Sequence, residues 1–351
     1  MASSSASSSA SRPAFIDIGV NLDDDMFHGK YHGSQKHQGD LDNVIFRAKE
    51  AGVIRQIVTV GQISELPSAI ALCQSNPGYL YCTLGVHPTR TSQLKGGGGD
   101  ESYLEEIRLK LQKDQGTSSP MIVAIGECGL DYDRLHFSNK EDQVKHFDLQ
   151  LQLAIDYRLP LFLHCRNAHQ DFLSVIKPKV DEIAKALSST TIATTPSSLD
   201  EVEGKKVIKR IGVVHCFTGS VEEMHELITL GFHIGLTGCS LKDEEGIRVA
   251  SQIPLTSLLL ETDAPWCDMR PTHASSPYWK EFVTEQSSAL AKIYQPESTK
   301  NTKWEPHKTI KSRNEPCAIG CVAAVIAQIK GIPIEQVAQA ALNNTRFLFN
   351  I

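Results

Sequence analysis

"GVVHCFTGSVEEMHELITLGFHIGLTG", residues 212–238, decides how this chain folds. A strand-like apolar run (212–219) leads into a segment where Ser220 and Glu223 have capping-box spacing and Gly231 can stop a helix. A second apolar run (232–238) follows at once. Strand, helix and strand in direct succession make a parallel pair joined by a helical crossover.

The same rhythm extends in both directions. Apolar runs recur as FIDIGVNL (15–22), IRQIVTVG (54–61), LYCTLGVHP (80–88), IVAIGECGLD (122–131), LPLFLHCR (159–166) and LLLETDAP (258–265). Most are rich in Val, Ile and Leu without strict polar alternation, as expected for a parallel sheet covered on both faces. Amphipathic segments such as DLDNVIFRAKEAG (40–52) and KEDQVKHFDLQLQLAIDYR (140–158) lie between them. Eight strand–helix units predict an α/β fold, a (β/α)8 TIM barrel spanning 14–351 as one domain. A Ser-rich tail (1–13) reads as disordered, KGGGGD (95–100) as a flexible turn and 187–206 as a polar surface insertion. A long loop (266–312) carries Trp266, Trp279, Trp304 and several lysines.

The composition, 41% hydrophobic and 22% charged with a formal charge of −6, is that of a soluble globular protein. The negative balance excludes a sequence-independent nucleic-acid coat, which needs a basic surface, but not a nuclease whose bound cations supply positive charge. No apolar run is long enough for a membrane span and the N-terminus has no signal-peptide core. Nine cysteines without a C-x-x-C pair read as reduced packing residues, which places the chain in cytoplasm or nucleus, not outside the cell.

Polar groups interrupt the strands at informative places. Glu127, His164, His215 and Asp263 lie near the C-terminal ends of four different runs, and His87 ends a fifth. That is the barrel face where active sites sit. Burying several ionisable groups together is costly without a partner, and a cation is such a partner. Two imidazoles and two carboxylates form a mixed N/O set for Mn, Zn or Co, or for Mg where water and phosphate complete an octahedron. Glu127 can bridge two ions, and Asp263 can hold one and accept the proton of an attacking water. Arg166 can reach a phosphate oxygen or, alternatively, form an inter-loop ion pair. Cys128, Cys165 and Cys216 each follow a proposed ligand, and strand alternation turns them into the barrel–helix layer. No G-x-S-x-G, P-loop, G-x-G-x-x-G or H-E-x-x-H motif is present.

Taken in order, FIDIGVNL, GVHPT, AIGECGLDYDR, LFLHCRNAH, VVHCFTGS, IGLTGCSLK, LLLETDAPW and RNEPC resemble the TatD DNase family, closest to its eukaryotic branch, over about residues 14–350. The resemblance implies a barrel of the metal-dependent hydrolase superfamily. It implies a divalent-metal deoxyribonuclease that hydrolyses phosphodiester bonds as a 3′–5′ exonuclease on single-stranded DNA or 3′ ends. It assigns Glu127, His164, His215 and Asp263 to the metal site, with Glu127 and Asp263 catalytic, and puts His87 and Arg166 near the scissile phosphate. Glu261 and Arg313 match motif positions too, with an ion pair or a cap of a helix starting at Asn314 as structural alternatives. The His-x-His of many members is replaced by Gly19 and Asn21, so Asp17 and Asn21 are left to give a second metal oxygen or water-mediated contacts. The cofactor expected is two divalent ions, Mg ahead of Mn or Zn. A metal-dependent esterase, such as an aminoacyl-tRNA deacylase, is the alternative, because the same activated water can attack an ester carbonyl.

Overall fold

The computed structural model describes residues 12–96, 99–188, 209–285 and 288–351. All eight apolar runs become strands of one parallel sheet: β1 (Phe15–Val20), β2 (Val53–Val58), β3 (Leu80–Leu84), β4 (Ile122–Asp131), β5 (Leu161–Arg166), β6 (Gly212–Val214), β7 (His233–Leu236) and β8 (Leu258–Leu260). They pair in chain order from β1 to β8. A parallel bridge between Val20 and Ala264, with Asp263 N–H donating to Gly19 O at 2.8 Å, brings the last strand's extension back to the first. The sheet is thus a nearly closed TIM barrel, as the repeated strand–helix rhythm predicts.

The crossover helices follow from local chemistry. In α7 (Val221–Leu230) both hydrogen bonds of the Ser220–Glu223 capping box form, and Gly231 ends the helix at φ 103°. In α4 (Lys140–Tyr157) Asn139 caps the N-terminus through the Asp142 N–H. Barrel closure at the N-terminal ends of the strands falls to α12 (Ile334–Phe349). Its Leu348 and Phe349 pack with Ile18, Ile57, Phe162, Val213 and Leu259, and Arg210 donates to Leu348 O at 2.7 Å. The bottom is therefore sealed with apolar side chains and only the opposite face is open to solvent.

Several segments differ from the sequence expectation. Leu187 and Ser188 complete α6 (Val180–Ser188), whereas 189–208, nearly all of the insertion, lie outside the described residues, as do 1–11 of the tail. Within 95–100, Gly99 and Asp100 already belong to α3 (Gly99–Gln115). The long loop contains α9 (Ser276–Glu285), α10 (Ser288–Tyr294) and a two-stranded ribbon pairing Ser298–Thr299 with Thr309–Ile310. Asn314 starts no helix: its amide donates to Thr262 O at 2.9 Å, and α11 begins at Ile319. Among the described residues no single helix is long and apolar enough to cross a membrane.

Candidate active site

The open face gathers polar side chains where β3, β4, β5 and β6 end. β4 bulges at Gly126 and Gly129, whose φ values of 142° and 140° are rarely adopted by other residues, and its register with β5 shifts between Ile125 and Cys128. The bulge lies at the residue whose carboxylate meets the imidazoles. Oε1 of Glu127 faces His215 Nε2 at 2.8 Å, His164 Nδ1 at 2.9 Å and His87 Nε2 at 3.3 Å. One oxygen is thereby approached by three nitrogens, more than its two lone pairs can serve.

Each imidazole is held from behind. Nδ1 of His215 faces Glu261 Oε2 at 3.4 Å, and its ring stacks on Phe162 with centroids 4.5 Å apart. Nδ1 of His87 receives the Thr89 N–H at 3.1 Å, which leaves the Nε2 proton pointing at Glu127. Nε2 of His164 stands 3.2 Å from Asp131 Oδ2 without the alignment of a hydrogen bond, and both atoms are buried with no hydrogen-bond partner, although Arg134 Nε lies 3.8 Å from the same carboxylate oxygen. Asp131, fully buried at the end of β4, was not singled out in the sequence. The signal available was an ionisable residue closing an otherwise apolar run.

These contacts set the protonation states. Burial alone would raise the Glu127 carboxyl, but His215 and His87 together with hydrogen bonds from His164 and His215 hold it well below the usual carboxylate range. For His215 burial pulls down, yet Glu127 and Glu261 outweigh it and push the imidazole well above its ordinary value. Protons on His164 and His215 thus supply the positive charge that the cluster demands, a role a divalent cation can take over. Asp263 is pushed up to about 6 by burial and by Glu261 and Glu127, against the pull of His215 and the hydrogen bond from Asn21.

Two residue groupings place ligand atoms close enough for one ion: Glu127, His164 and His215, and His87, Asp131 and His164. The orphaned Asp131 Oδ2 and His164 Nε2, and the excess of nitrogen around Glu127 Oε1, fit a cation at these groups. Asp263 adjoins them with Oδ1 accepting from Asn21 Nδ2 at 3.0 Å and Oδ2 facing the Cys267 thiol at 3.4 Å. Asp17 does not reach the cluster. Its carboxylate takes the Thr262 N–H (3.0 Å), the Thr262 hydroxyl (2.6 Å) and the Gly19 N–H (3.3 Å), and burial pushes it up to about 8. Arg166 lies at the rim, 3.4 Å from Asp133, so the inter-loop ion pair forms. Arg313 is buried between Asp40 (2.6 and 2.8 Å) and Glu315 (2.8 Å), the ion-pair alternative foreseen for it.

Glu261 accounts for the missing first-strand histidine. Its carboxylate fills a notch between Gly19 and Gly235, where a Cβ on Gly19 would stand 2.5 Å from Glu261 Oε2. The same carboxylate accepts the Cys216 N–H. A side chain at 19 would require the Glu261 carboxylate to shift from its present place.

A family profile described as TatD related DNase matches residues 16–350, with the glutamate, histidines and aspartate of the cluster all inside the match. The chain belongs to the TatD related DNase family. Among TatD relatives, "Deoxyribonuclease Tat-D" of Schizosaccharomyces pombe is 36% identical over 332 residues, covering 94% of each chain. The "3′-5′ ssDNA/RNA exonuclease TatD" of Erwinia tasmaniensis is 33% identical, covering 96% of this chain and all of the relative. A solved TatD family hydrolase from Entamoeba histolytica superposes with a TM-score of 0.77 at 34% identity, over 96% of this chain and 99% of that one.

The cysteine expectation needs correction at one position. Cys128 is buried in the core and Cys165 packs against it, but Cys216 faces the open site, with its sulfur 3.6 Å from that of Cys267. β6 ends at Val214 and Cys216 has φ 43°, so strand alternation no longer governs where its side chain points.

Of the three tryptophans in the 266–312 segment, Trp279 stacks on Phe282 and donates to Gln295, and Trp304 stacks on His37 and donates to Asp40. Trp266, beside Cys267, is 53% exposed. Phe137, in the loop after β4, is 57% exposed.

Proposed function

We propose that this chain is a divalent-metal-dependent deoxyribonuclease that shortens single-stranded DNA from its 3′ end. The observation that carries the reading is the convergence of Glu127, His164, His215 and His87 at the open barrel face, with His164 Nε2 and Asp131 Oδ2 buried beside them without a hydrogen bond. The names of the yeast and bacterial relatives support the polymer and the polarity. Glu127, His164, His215 and Asp263 hold the metal, with Asp131 reinforcing His164. A mixed nitrogen and oxygen donor set suits Mn²⁺ or Zn²⁺, and Mg²⁺ where water and phosphate complete the shell. Two divalent ions would be held by this donor set, the arrangement that suits phosphoryl transfer. Bound cations neutralise phosphate charge and acidify water near neutral pH.

The residues divide the remaining work. Hydrolysis of so inert a bond needs roughly 8–23 kcal/mol of barrier reduction, and general acid–base catalysis supplies only ~10²–10⁴-fold of it. Asp263, beside the cluster with Oδ1 held by Asn21, would take a proton from the attacking water. His87 presents an Nε2 proton as a neutral donor to a phosphate oxygen. Arg166 leaves Asp133 to pair with the phosphate at the rim. Trp266 and Phe137 offer exposed rings on which terminal bases stack, a contact that tolerates any sequence.

The test is digestion of 5′-labelled and 3′-labelled single-stranded DNA with Mg²⁺, Mn²⁺, Zn²⁺ or chelator, comparing wild type with Glu127→Ala. Metal-dependent loss of the 3′ label first, absent in the variant, is expected. No cleavage by wild type with metal bound would overturn the reading and make charged tRNA the next substrate. Cleavage that persists in Glu127→Ala would displace the site.

A further inference from the structure

The nuclease reading uses nitrogen and oxygen donors and leaves three thiols at the site mouth unexplained. Cys216 and Cys267 place their sulfurs 3.6 Å apart, and Cys267 Sγ stands 3.4 Å from Asp263 Oδ2. The three ligand atoms lie within one ion's reach of each other. Each of the three residues is half-buried and has a left-handed backbone, with φ 43° at Cys216, 51° at Asp263 and 54° at Cys267. Non-glycine residues in that region cost free energy individually, and three that bring their side chains together are characteristic of ligand-holding sites.

Two reduced thiols in contact can serve as metal ligands or close to a disulfide, which would draw the sulfurs in to about 2.05 Å. A tetrahedral zinc with Zn–S of ~2.3 Å sets its sulfur ligands about 3.8 Å apart, and a sulfur and a carboxylate oxygen about 3.5 Å apart. The observed 3.6 and 3.4 Å let one ion take these atoms with little movement of the side chains.

We propose that Cys216, Cys267 and Asp263 form a soft metal site beside the imidazole cluster, sharing Asp263 with the nuclease site and selective for zinc-like ions, with one coordination position left open. Thiolates select such ions over Mg²⁺ and Mn²⁺. Binding releases one proton from each thiol, so the two thiolates and the carboxylate together carry one more negative charge than the dication supplies. Cys239 contacts Cys267 from outside the triad. Asn21 holds the other carboxylate oxygen of Asp263, which is the residue shared with the nuclease site.

Cobalt(II) is the probe, because thiolate ligation gives a sulfur-to-cobalt charge-transfer band in the near ultraviolet that imidazole and carboxylate ligands do not. The full chain, reduced and freed of metal, is titrated with Co²⁺ and then with competing Zn²⁺ or Mg²⁺. The band is expected in wild type and in Glu127→Ala, weakened in Cys216→Ser and in Cys267→Ser, and lost in the double variant. Zn²⁺ should bleach it and Mg²⁺ should not. Circular dichroism of the serine variants confirms that they are folded. A band missing from reduced wild type, or one persisting in the folded double variant, would overturn the site. A Cys216–Cys267 disulfide found by mass spectrometry in protein that binds no cobalt after reduction would overturn it too, in favour of a redox pair. The nuclease reading fails separately, through Glu127→Ala.

Discussion

Glu261→Gln is the most informative substitution, because it changes charge and hydrogen-bonding character without changing shape. Glu261 is fully buried, with one oxygen on the Cys216 N–H and the other 3.4 Å from His215 Nδ1. Glutamine fits the notch between Gly19 and Gly235 but has one acceptor where two donors arrive, so either the imidazole or the backbone amide loses its partner. An unsatisfied buried group costs about 1–3 kcal/mol. In a chain of 351 residues roughly 0.7 kcal/mol corresponds to one degree, so Tm falls by roughly 1.5–4 °C. The functional cost is larger in kind. Partners that orient a metal-binding histidine are worth about 10–100-fold in metal affinity, or roughly 1.4–2.7 kcal/mol. Initial rates on end-labelled DNA, measured across a Mn²⁺ titration, should show half-saturation moved up by that factor while the rate at saturating metal stays within a few-fold of wild type. A midpoint unchanged within about twofold, or a rate loss that excess metal does not restore, would refute the positioning argument.

Three other outcomes follow from the geometry. Gly19→Ala puts a Cβ 2.5 Å from Glu261 Oε2, so overpacking should cost about 1–3 kcal/mol by denaturant unfolding and raise the metal midpoint in the same direction as Glu261→Gln. Arg313→Met removes the guanidinium bridging Asp40 and Glu315 in a buried network that includes Arg47, so calorimetry should show a loss of about 3–5 kcal/mol, with the metal midpoint unmoved. His233, buried at the start of β7, is pushed down to about 4 by burial, so the unfolded chain takes up a proton that the native one refuses. Its contribution to stability is complete above pH ~6.5 and is lost as pH falls towards 4, by up to about 3 kcal/mol. His233→Gln should flatten that part of a stability–pH curve, and an unchanged slope would exclude His233 as its source.

How much of this was legible in the sequence depended on how far each residue lies from regular structure. Strand order and number could be read because a parallel barrel writes each strand as an apolar run closed by a helix signal, as in Ser220–Gly231. Glu127, His164 and His215 stood out because ionisable groups are conspicuous in such runs. Asp131 was passed over because it closes its run where a turn residue is ordinary, and only its orphaned oxygen reveals it. Cys216 was misread because alternation was extended past the end of β6 into a left-handed residue. Its meeting with Cys267 depends on the closure between β8 and β1, which no local pattern encodes. The aromatic-rich segment could not be sorted from sequence either, since Trp266, Trp279 and Trp304 differ only in what the fold sets against them.

The notch that holds Glu261 also constrains the routes by which this site can change. A histidine entering at position 19 would displace the Glu261 carboxylate, because the first atom of its side chain comes within 2.5 Å of Oε2. Glu261 cannot leave first without stranding the His215 ring nitrogen and the Cys216 amide. Nor can Gly235 acquire a side chain on the other wall. Each single step thus disturbs the Glu261 carboxylate that the His215 ring and the Cys216 amide share, and grafting the histidine alone onto this chain should weaken the site unless Glu261 finds a new position.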